Sequence, residues 1–476
     1  MKLYFYNTLS GEKEEFTSII DGVVKMYNCG PTVYNKATIG NLRAYVFANI
    51  LRRTLIYNGY EVKQVMNITD VGHLTSDADD GEDKLEKEAQ KSGESAQDIA
   101  KRITKEFLDD LNDLNIDTSV IQMPRATNYI TEQILMIQTL EEKGYTYKTS
   151  DGIYFDTSLF KDYGKLGNID IKGLQEGARV EKNDEKKNIT DFALWKFSPK
   201  ETKRQQEWGS PWGVGFPGWH IECSAMSRAL LGAQIDIHTG GIDHIPIHHN
   251  NEIAQSECSS GKQFVRFWMH GAFINIDNKR IGKSVGNVIY LSDIKDKGIS
   301  PIAYRYLLLT GHYRTQMNFT WESLNAAQTA LNKLYSFVSE HKDTISEDVD
   351  IDEVYKEKFH AYINDDLDTP KAIATMWSML KDDEISDSAK VATLLHFDSI
   401  LGLKLQDVAQ GARLNVKGDS DELELPKEVE ELLQERKKAR ENKDYKLSDE
   451  LRAKLAKLGY RVKDTSSGQE IKLSTR

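Results

Sequence analysis

Hydrophobic positions along the chain change period several times. Val24 to Tyr27 is a continuous apolar run of strand length, and Leu42, Val46, Ile50, Leu51 and Leu55 then recur at helical spacing, with Gly59 as a stop. Glu61 to Ile68 resumes as a strand. A crossover of this length between two apolar strands predicts a parallel pair, hence a doubly wound α/β sheet of the Rossmann type. Ile235 to Ile237 and Phe264 to Met269 read as further strands. Ligands of such sheets bind beyond the carboxyl ends of the strands. Cys29-Gly30 and Thr38 to Asn41 would lie there.

Between the two halves of this pattern the texture differs. Tyr145 to Phe155 alternates on either side of Asp151-Gly152, a hairpin pattern. Glu176 to Asp191 is polar and reads as an exposed loop, and Asp191 to Lys196 leads back to the core. From about 318 the spacing is helical through Leu401, Gln406 to Ser420 reads as a linker, and Leu447, Leu451, Leu455 and Leu458 stripe one helix closed by Gly459. Tyr460/Val462 and Ile471/Leu473 predict two short strands around Asp464 to Gly468. The expected organisation is therefore 1–119, the first half of the sheet domain; 120–200, an insertion; 201–270, its second half; and 271–318, a stem-contact region that carries the Arg280 to Ser284 loop. A helical bundle at 319–405, a linker at 406–420 and a small mixed α/β module at 421–476 follow.

The 476 residues exceed a single core and imply several domains. The first residues lack the apolar centre of a signal peptide, and no apolar run is long enough to cross a bilayer. Three cysteines suit a reducing compartment, so cytoplasm is the expected location. The formal charge of −12 is unevenly spread: from Pro426 to Arg476 there are 14 Lys/Arg and 10 Asp/Glu, a segment of +4 that leaves −16 elsewhere. A polyanionic partner would meet that tail and local patches, not the mean field.

The candidate chemistry starts with Cys29, Cys223, His248 and Glu252. His248 and Glu252 are four residues apart and leave one face of a helix. With two thiolates they make a zinc-like ligand set. On spacing alone, two buried free cysteines and a surface His/Glu pair account for the same residues. Gly282-Lys283-Ser284 invites a phosphate-loop reading, but that motif needs glycine where Asp277 stands.

Two segments decide among these readings. Thr38-Ile39-Gly40-Asn41 and Arg280-Ile281-Gly282-Lys283-Ser284 resemble the two signature sequences of class I aminoacyl-tRNA synthetases, His-Ile-Gly-His and Lys-Met-Ser-Lys-Ser. The blocks Cys29 to Tyr34, Gly218 to Cys223 and His248 to Glu252 resemble cysteinyl-tRNA synthetases in particular, and the resemblance runs from Tyr6 to about Gly468. It implies a ligase that activates L-cysteine with ATP and Mg²⁺ and charges tRNA(Cys), as a monomer. By the same resemblance Thr38, Gly40, Asn41, Asp243, Arg280, Lys283 and Ser284 form the ATP site, with Thr38, Asn41 and Lys283 catalytic. Gly30, Thr69, Trp219 and His249 would contact the amino acid, and one Zn²⁺ on Cys29, Cys223, His248 and Glu252 would hold its thiol. Cys258 has no ligand partner nearby and reads as structural. Thr38 and Asn41 replace the two signature histidines, and neither can carry a charge. Two other activities stay compatible with these motifs: a cysteine ligase of mycothiol synthesis, which lacks the long C-terminal region, and a tRNA-binding regulator without catalysis.

Overall fold

The computed structural model describes residues 2–72, 84–169, 185–199, 204–282, 285–344, 350–412, 427–442, 444–465 and 468–473. Among the described residues, no helix is long and apolar enough to cross a membrane. The chain divides into two compact units, Met1–Asn415 and Val416–Arg476.

The centre of the first unit is a four-stranded parallel sheet. Strand β1 (Val23–Asn28) leads to helix α1 (Ile39–Tyr57) and strand β2 (Glu61–Met66); strands β3 (Ile235–Gly241) and β4 (Val265–Gly271) complete the order β4-β3-β1-β2. Both inner strands are covered on two faces: Met26, Tyr27, Ile235 and Ile237 are all fully buried. That burial is why they read as continuous apolar runs and not as alternation. Helix α1 starts at a reciprocal cap, where Thr38 Oγ1 accepts from Asn41 N and Asn41 Oδ1 accepts from Thr38 N. Its stripe Leu42, Val46, Ile50, Leu51 and Leu55 is buried, and Gly59 reverses the chain at φ +88°, where a side chain would be strained. Strand order reverses between β1 and β3, so the crevice of this sheet opens between Cys29 and Gly240-Gly241.

The intervening segment forms an antiparallel sheet of Thr146–Lys148, Gly152–Phe155, Phe192–Phe197, Gly213–Pro217 and Trp208–Ser210. It differs from the sequence expectation in two respects. Lys148 pairs with Ile153, so Gly152 opens the second strand and is not half of a two-residue turn. A Cβ at Gly152 would lie 2.4 Å from the Trp195 carbonyl, so close strand approach requires the glycine there. Phe192–Phe197 is an inner strand of this sheet, so the sheet continues to Pro217, past residue 200. Residues 170–184 of the expected polar loop lie outside the described residues.

Beyond Pro217 come helix α2 (Trp219–Leu231), β3, helix α3 (His248–Ser260) and β4. The helical region contains Trp321–His341, Glu353–Ile363, Thr369–Leu380 and Asp387–Leu401. Each begins at a side-chain cap, from Thr320, Asp352, Asp368 and Ser386 in turn. Leu405–Ala409 is helical, and of the expected linker 413–420 lies outside the described residues.

In the second unit, helices Lys427–Glu441 and Tyr445–Lys457 precede an antiparallel pair, Tyr460–Thr465 with Gly468–Leu473. Its small core holds Val429, Leu455 and Val462. Of the leucine stripe, Leu451 and Leu455 are buried, whereas Leu447 and Leu458 are each 42% exposed. A two-helix module has too little interior to cover four turns of one face.

Candidate active site

A cavity of about 470 Å³ opens at the carboxyl ends of the parallel strands. Cys29 follows β1 directly, and its N–H donates to Thr239 O on β3 at 3.2 Å. The parallel pairing thereby sets Cys29 against the β3–α3 segment. Gly30 is required by contact: its N–H donates to Asn67 Oδ1 at 2.8 Å, and a Cβ would lie 1.6 Å from Asn67 O. Thr69 donates its N–H to Pro31 O and accepts from Asn67 Nδ2, which fixes its hydroxyl beside the same cavity. Trp219 is the first residue of α2, one turn before Cys223, and its ring centroid is 4.6 Å from that of His248.

Cys29, Cys223, His248 and Glu252 converge, each offering a ligand atom within 4.8 Å of the others. Cys29, His238, His249 and Glu252 meet the same criterion. Cys29, Cys223 and His248 line the cavity; His238 and His249 lie behind it, fully buried. His249, expected beside the amino acid, instead has Nε2 3.2 Å from Cys29 Sγ and Nδ1 2.7 Å from His270 Nε2. His270 continues to Thr8 Oγ1 at 2.8 Å. Glu252 is wholly buried and bridges His248 Nε2 at 2.8 Å and His238 Nε2 at 2.9 Å.

The electrostatics of the cluster are those of a site in which a cation would have to displace protons, the one on His248 included. Burial alone would lower His248, yet Glu252 and Cys223 hold it up at about 10. Burial would raise Glu252, but His238 and His248 keep it ionised, at about 2. A hydrogen bond with Cys29 brings the Cys223 thiol down to about 7, while burial pushes Cys29 well up. The pair thus retains a shared proton that a cation would displace. Burial keeps His249 and His270 neutral.

The second half of the cavity is built around the start of α1. Thr38, Gly40 and Asn41 line it; within the first turn Ile39 N donates to Ile289 O and Asn41 N to Thr38 Oγ1. The Thr38 hydroxyl donates to Asn41 Oδ1 at 2.8 Å. Gly40 is in tight contact, since a Cβ would lie 2.9 Å from Ile281 Cδ1. Asp243 lines the cavity from a single helical turn, Ile242–His244, after β3. Arg280 also lines the cavity, its guanidinium 5.6 Å from the Phe273 ring centroid. Lys283 and Ser284 lie outside the described residues. On either side of them the chain is clasped by Asn287, which accepts from Gly282 N and donates to Arg280 O.

Several contributors escaped sequence reasoning. His238, His244 and His270 stand at or beyond the carboxyl ends of parallel strands, a position that could have drawn notice. Arg43 gave no such sign. It is buried on α1, and its guanidinium donates to the carbonyls of Ala272, Phe273, His312 and Thr315 at 2.7–3.0 Å. It holds the start of α1 against the strand that leads to Arg280. Arg43→Met should destabilise the protein by about 3 kcal/mol or more, because four carbonyls lose their donors. Urea unfolding measures this, and a midpoint within error of the parent would show those carbonyls satisfied otherwise.

Comparison with known proteins agrees with this geometry. The family described as tRNA synthetases class I (C) catalytic domain matches residues 15–329, and the cysteinyl-tRNA ligase anticodon binding domain matches residues 423–471. The chain is 48% identical to cysteine–tRNA ligase 1 of Burkholderia lata over 99% of its own length and 97% of that protein. The chain belongs to the cysteine–tRNA ligase family. The cysteine–tRNA ligase of Treponema denticola is 43% identical, with 98% of each chain covered. Among solved structures, a LeuRS–tRNA–LeuAMS ternary complex from Agrobacterium radiobacter K84 superposes with TM-score 0.58 at 11% identity, covering 84% of this chain and 87% of that one. Mycobacterium tuberculosis methionyl-tRNA synthetase bound by methionyl-adenylate gives 0.51 at 13% identity, over 81% and 90%. These last two bear on fold alone: this cysteine–tRNA ligase family member has the class I synthetase architecture.

Proposed function

We propose that the chain is a cysteine–tRNA ligase that forms cysteinyl-adenylate from L-cysteine and ATP, then esterifies the 3′ end of tRNA(Cys). The observation that carries this reading is the junction, at one cavity, of a two-thiol, imidazole and carboxylate cluster with the start of α1. A carboxylate oxygen of cysteine attacks the α-phosphorus, the bond to the β-phosphate oxygen breaks, and pyrophosphate leaves with the electron pair. Mg²⁺ would accompany the nucleotide. The amides at the start of α1, Asp243 and Arg280 bound the space for ATP, and Lys283 is assigned to the triphosphate with Ser284 beside it. Gly30, Thr69 and Trp219 border the space for the amino acid.

The donor set fits Zn²⁺: two thiols, an imidazole and a carboxylate offer ligand atoms within 4.8 Å of one another, and a substrate thiol would either join them or take the place of Glu252. Bound there, zinc would supply a Lewis acid for the substrate's thiol and hold it as thiolate. His238 orients Glu252 and keeps it ionised, and His249 with His270 supports Cys29. A serine hydroxyl is the poorer ligand, so selection follows from a required polar contact. We assign the protein to the cytoplasm as a monomer, a reading supported by its three free cysteines and the family. The module at 421–476 is assigned to the anticodon end of the tRNA, supported by the 423–471 family match. That match also favours tRNA over an inositol sugar as acceptor.

The test is ATP–pyrophosphate exchange. It should depend on cysteine and not on serine, and be followed by charging of tRNA(Cys). A folded, zinc-loaded protein without exchange would sink the reading in favour of a tRNA-binding regulator. Deleting residues 421–476 should leave exchange largely intact, weaken charging through tRNA affinity, and flatten its salt dependence, because fewer phosphates are neutralised. Unchanged charging at all salt concentrations would remove that module from tRNA contact.

A further inference from the structure

We propose that Lys36 is a catalytic residue of adenylate formation that contacts the phosphates of ATP. It supplies at the start of α1 the positive charge that Thr38 and Asn41 cannot. This rests on the reading above, in which ATP occupies the cavity. When the bond between the α-phosphorus and the β-phosphate oxygen breaks, negative charge collects on the departing pyrophosphate. A site that does this quickly needs preorganised cations. The end of α1 contributes roughly half a charge through its amides. Its two signature side chains are neutral and engaged with each other, the Thr38 hydroxyl already donating to Asn41 Oδ1.

The cavity's other cations narrow the choice. Among the described residues, Lys36, Arg43 and Arg280 are the lysines and arginines that line it. Arg43 has its fork on four main-chain carbonyls and has little left for a ligand. Arg280 is already assigned to ATP in the reading above, its guanidinium 5.6 Å from the Phe273 ring centroid. Lys36 is two residues before the cap of α1, and its segment is pinned there. Ile39 N donates to Ile289 O at 3.0 Å, and Thr38 pairs with Tyr290 in an isolated bridge. The Lys36 ammonium donates to Ser292 Oγ at 3.2 Å and lies 5.8 Å from the Tyr290 ring centroid. No carboxylate among the described residues pairs with it within 4.0 Å; Asp110 acts on it only at longer range. One hydrogen bond leaves two N–H groups for phosphate oxygens. A solvated surface lysine would not be held between a ring and a hydroxyl on the wall of the nucleotide cavity.

The experiment compares zinc-loaded, full-length K36M and K36R with the parent. In cysteine-dependent pyrophosphate exchange, K36M should lose about 10-fold or more in kcat/KM for ATP, with KM for cysteine and zinc content unchanged, and K36R should recover most of the loss. Binding of inorganic pyrophosphate, measured by calorimetry, should weaken about 10-fold in K36M and recover in K36R, since the charge is what the phosphate reads. Exchange and pyrophosphate binding both within two-fold of the parent would overturn the proposal. So would a K36R as impaired as K36M, which marks a packing role, or a defect confined to transfer onto tRNA, which marks contact with its 3′-terminal phosphates. If the parent shows no exchange, the functional reading falls, while charge-dependent pyrophosphate binding would still support Lys36 as a phosphate contact.

Discussion

Cys223→Ala is expected to lose most of its zinc and, with it, cysteine binding. The parent should carry about one equivalent per chain. The substituted thiolate has no stand-in: Cys258, the remaining cysteine of the core, has its thiol pushed up to about 12 by burial and is no member of either ligand group. Cysteine affinity should fall by up to ~10⁴-fold, the scale at which a site built on a required contact rejects the analogue lacking it. Weak serine binding should barely change. Cys258→Ser should leave metal content and cysteine affinity intact. Zinc uptake by the metal-free parent should weaken as pH falls, because the Cys29–Cys223 pair then holds its protons against the cation. In a cobalt-loaded protein, added cysteine should alter the sulfur-to-cobalt absorption and serine should not. A spectrum indifferent to cysteine would make the metal structural and leave selection to pocket shape.

Lys283→Ala is expected to depress pyrophosphate exchange by at least ~10²-fold, the cost of removing one donor aimed at developing charge. Zinc content should be unchanged, since Cys29, Cys223, His248 and Glu252 are held by β1, α2 and α3, separate in sequence from the 280–287 loop. Cysteine binding without ATP should be unchanged too. Near-parent exchange in a folded variant would remove Lys283 from the reaction. Lys283 and Lys36 would both act on one triphosphate, so the double variant should lose more than either alone.

Legibility in the sequence followed the range of the interactions concerned. The β1–α1–β2 unit was readable because its signals are local: an apolar run, a helical stripe, and a stop at Gly59. The cap at Thr38 and Asn41 is local as well, yet its consequence was missed. Both side chains were expected on phosphate; the structure adds that the Thr38 hydroxyl and Asn41 Oδ1 also bond each other in the cap. Asp151-Gly152 misled for a related reason, since Gly152 answers to the Trp195 carbonyl from a strand some forty residues away. Leu447 and Leu458 carry the same periodic signal as Leu451 and Leu455, and periodicity does not reveal how wide a neighbouring surface is.

The metal candidates mark the same division. By itself the sequence determined the ligand types, the i, i+4 placement of His248 and Glu252, and the family to which those blocks belong. Only the tertiary structure decided that β1 lies beside β3, which carries Cys29 to the α3 residues. It also decided that His238 and His249 are buried against Glu252 and Cys29, and that Arg43 is spent on four carbonyls. Lys36 is a common residue in an unremarked position until the segment around Tyr290 folds back on it. Helices and strands follow from neighbours within a few residues, whereas a site at strand ends is assembled by sheet order. That order is set by burial summed over the whole core, which no local window contains.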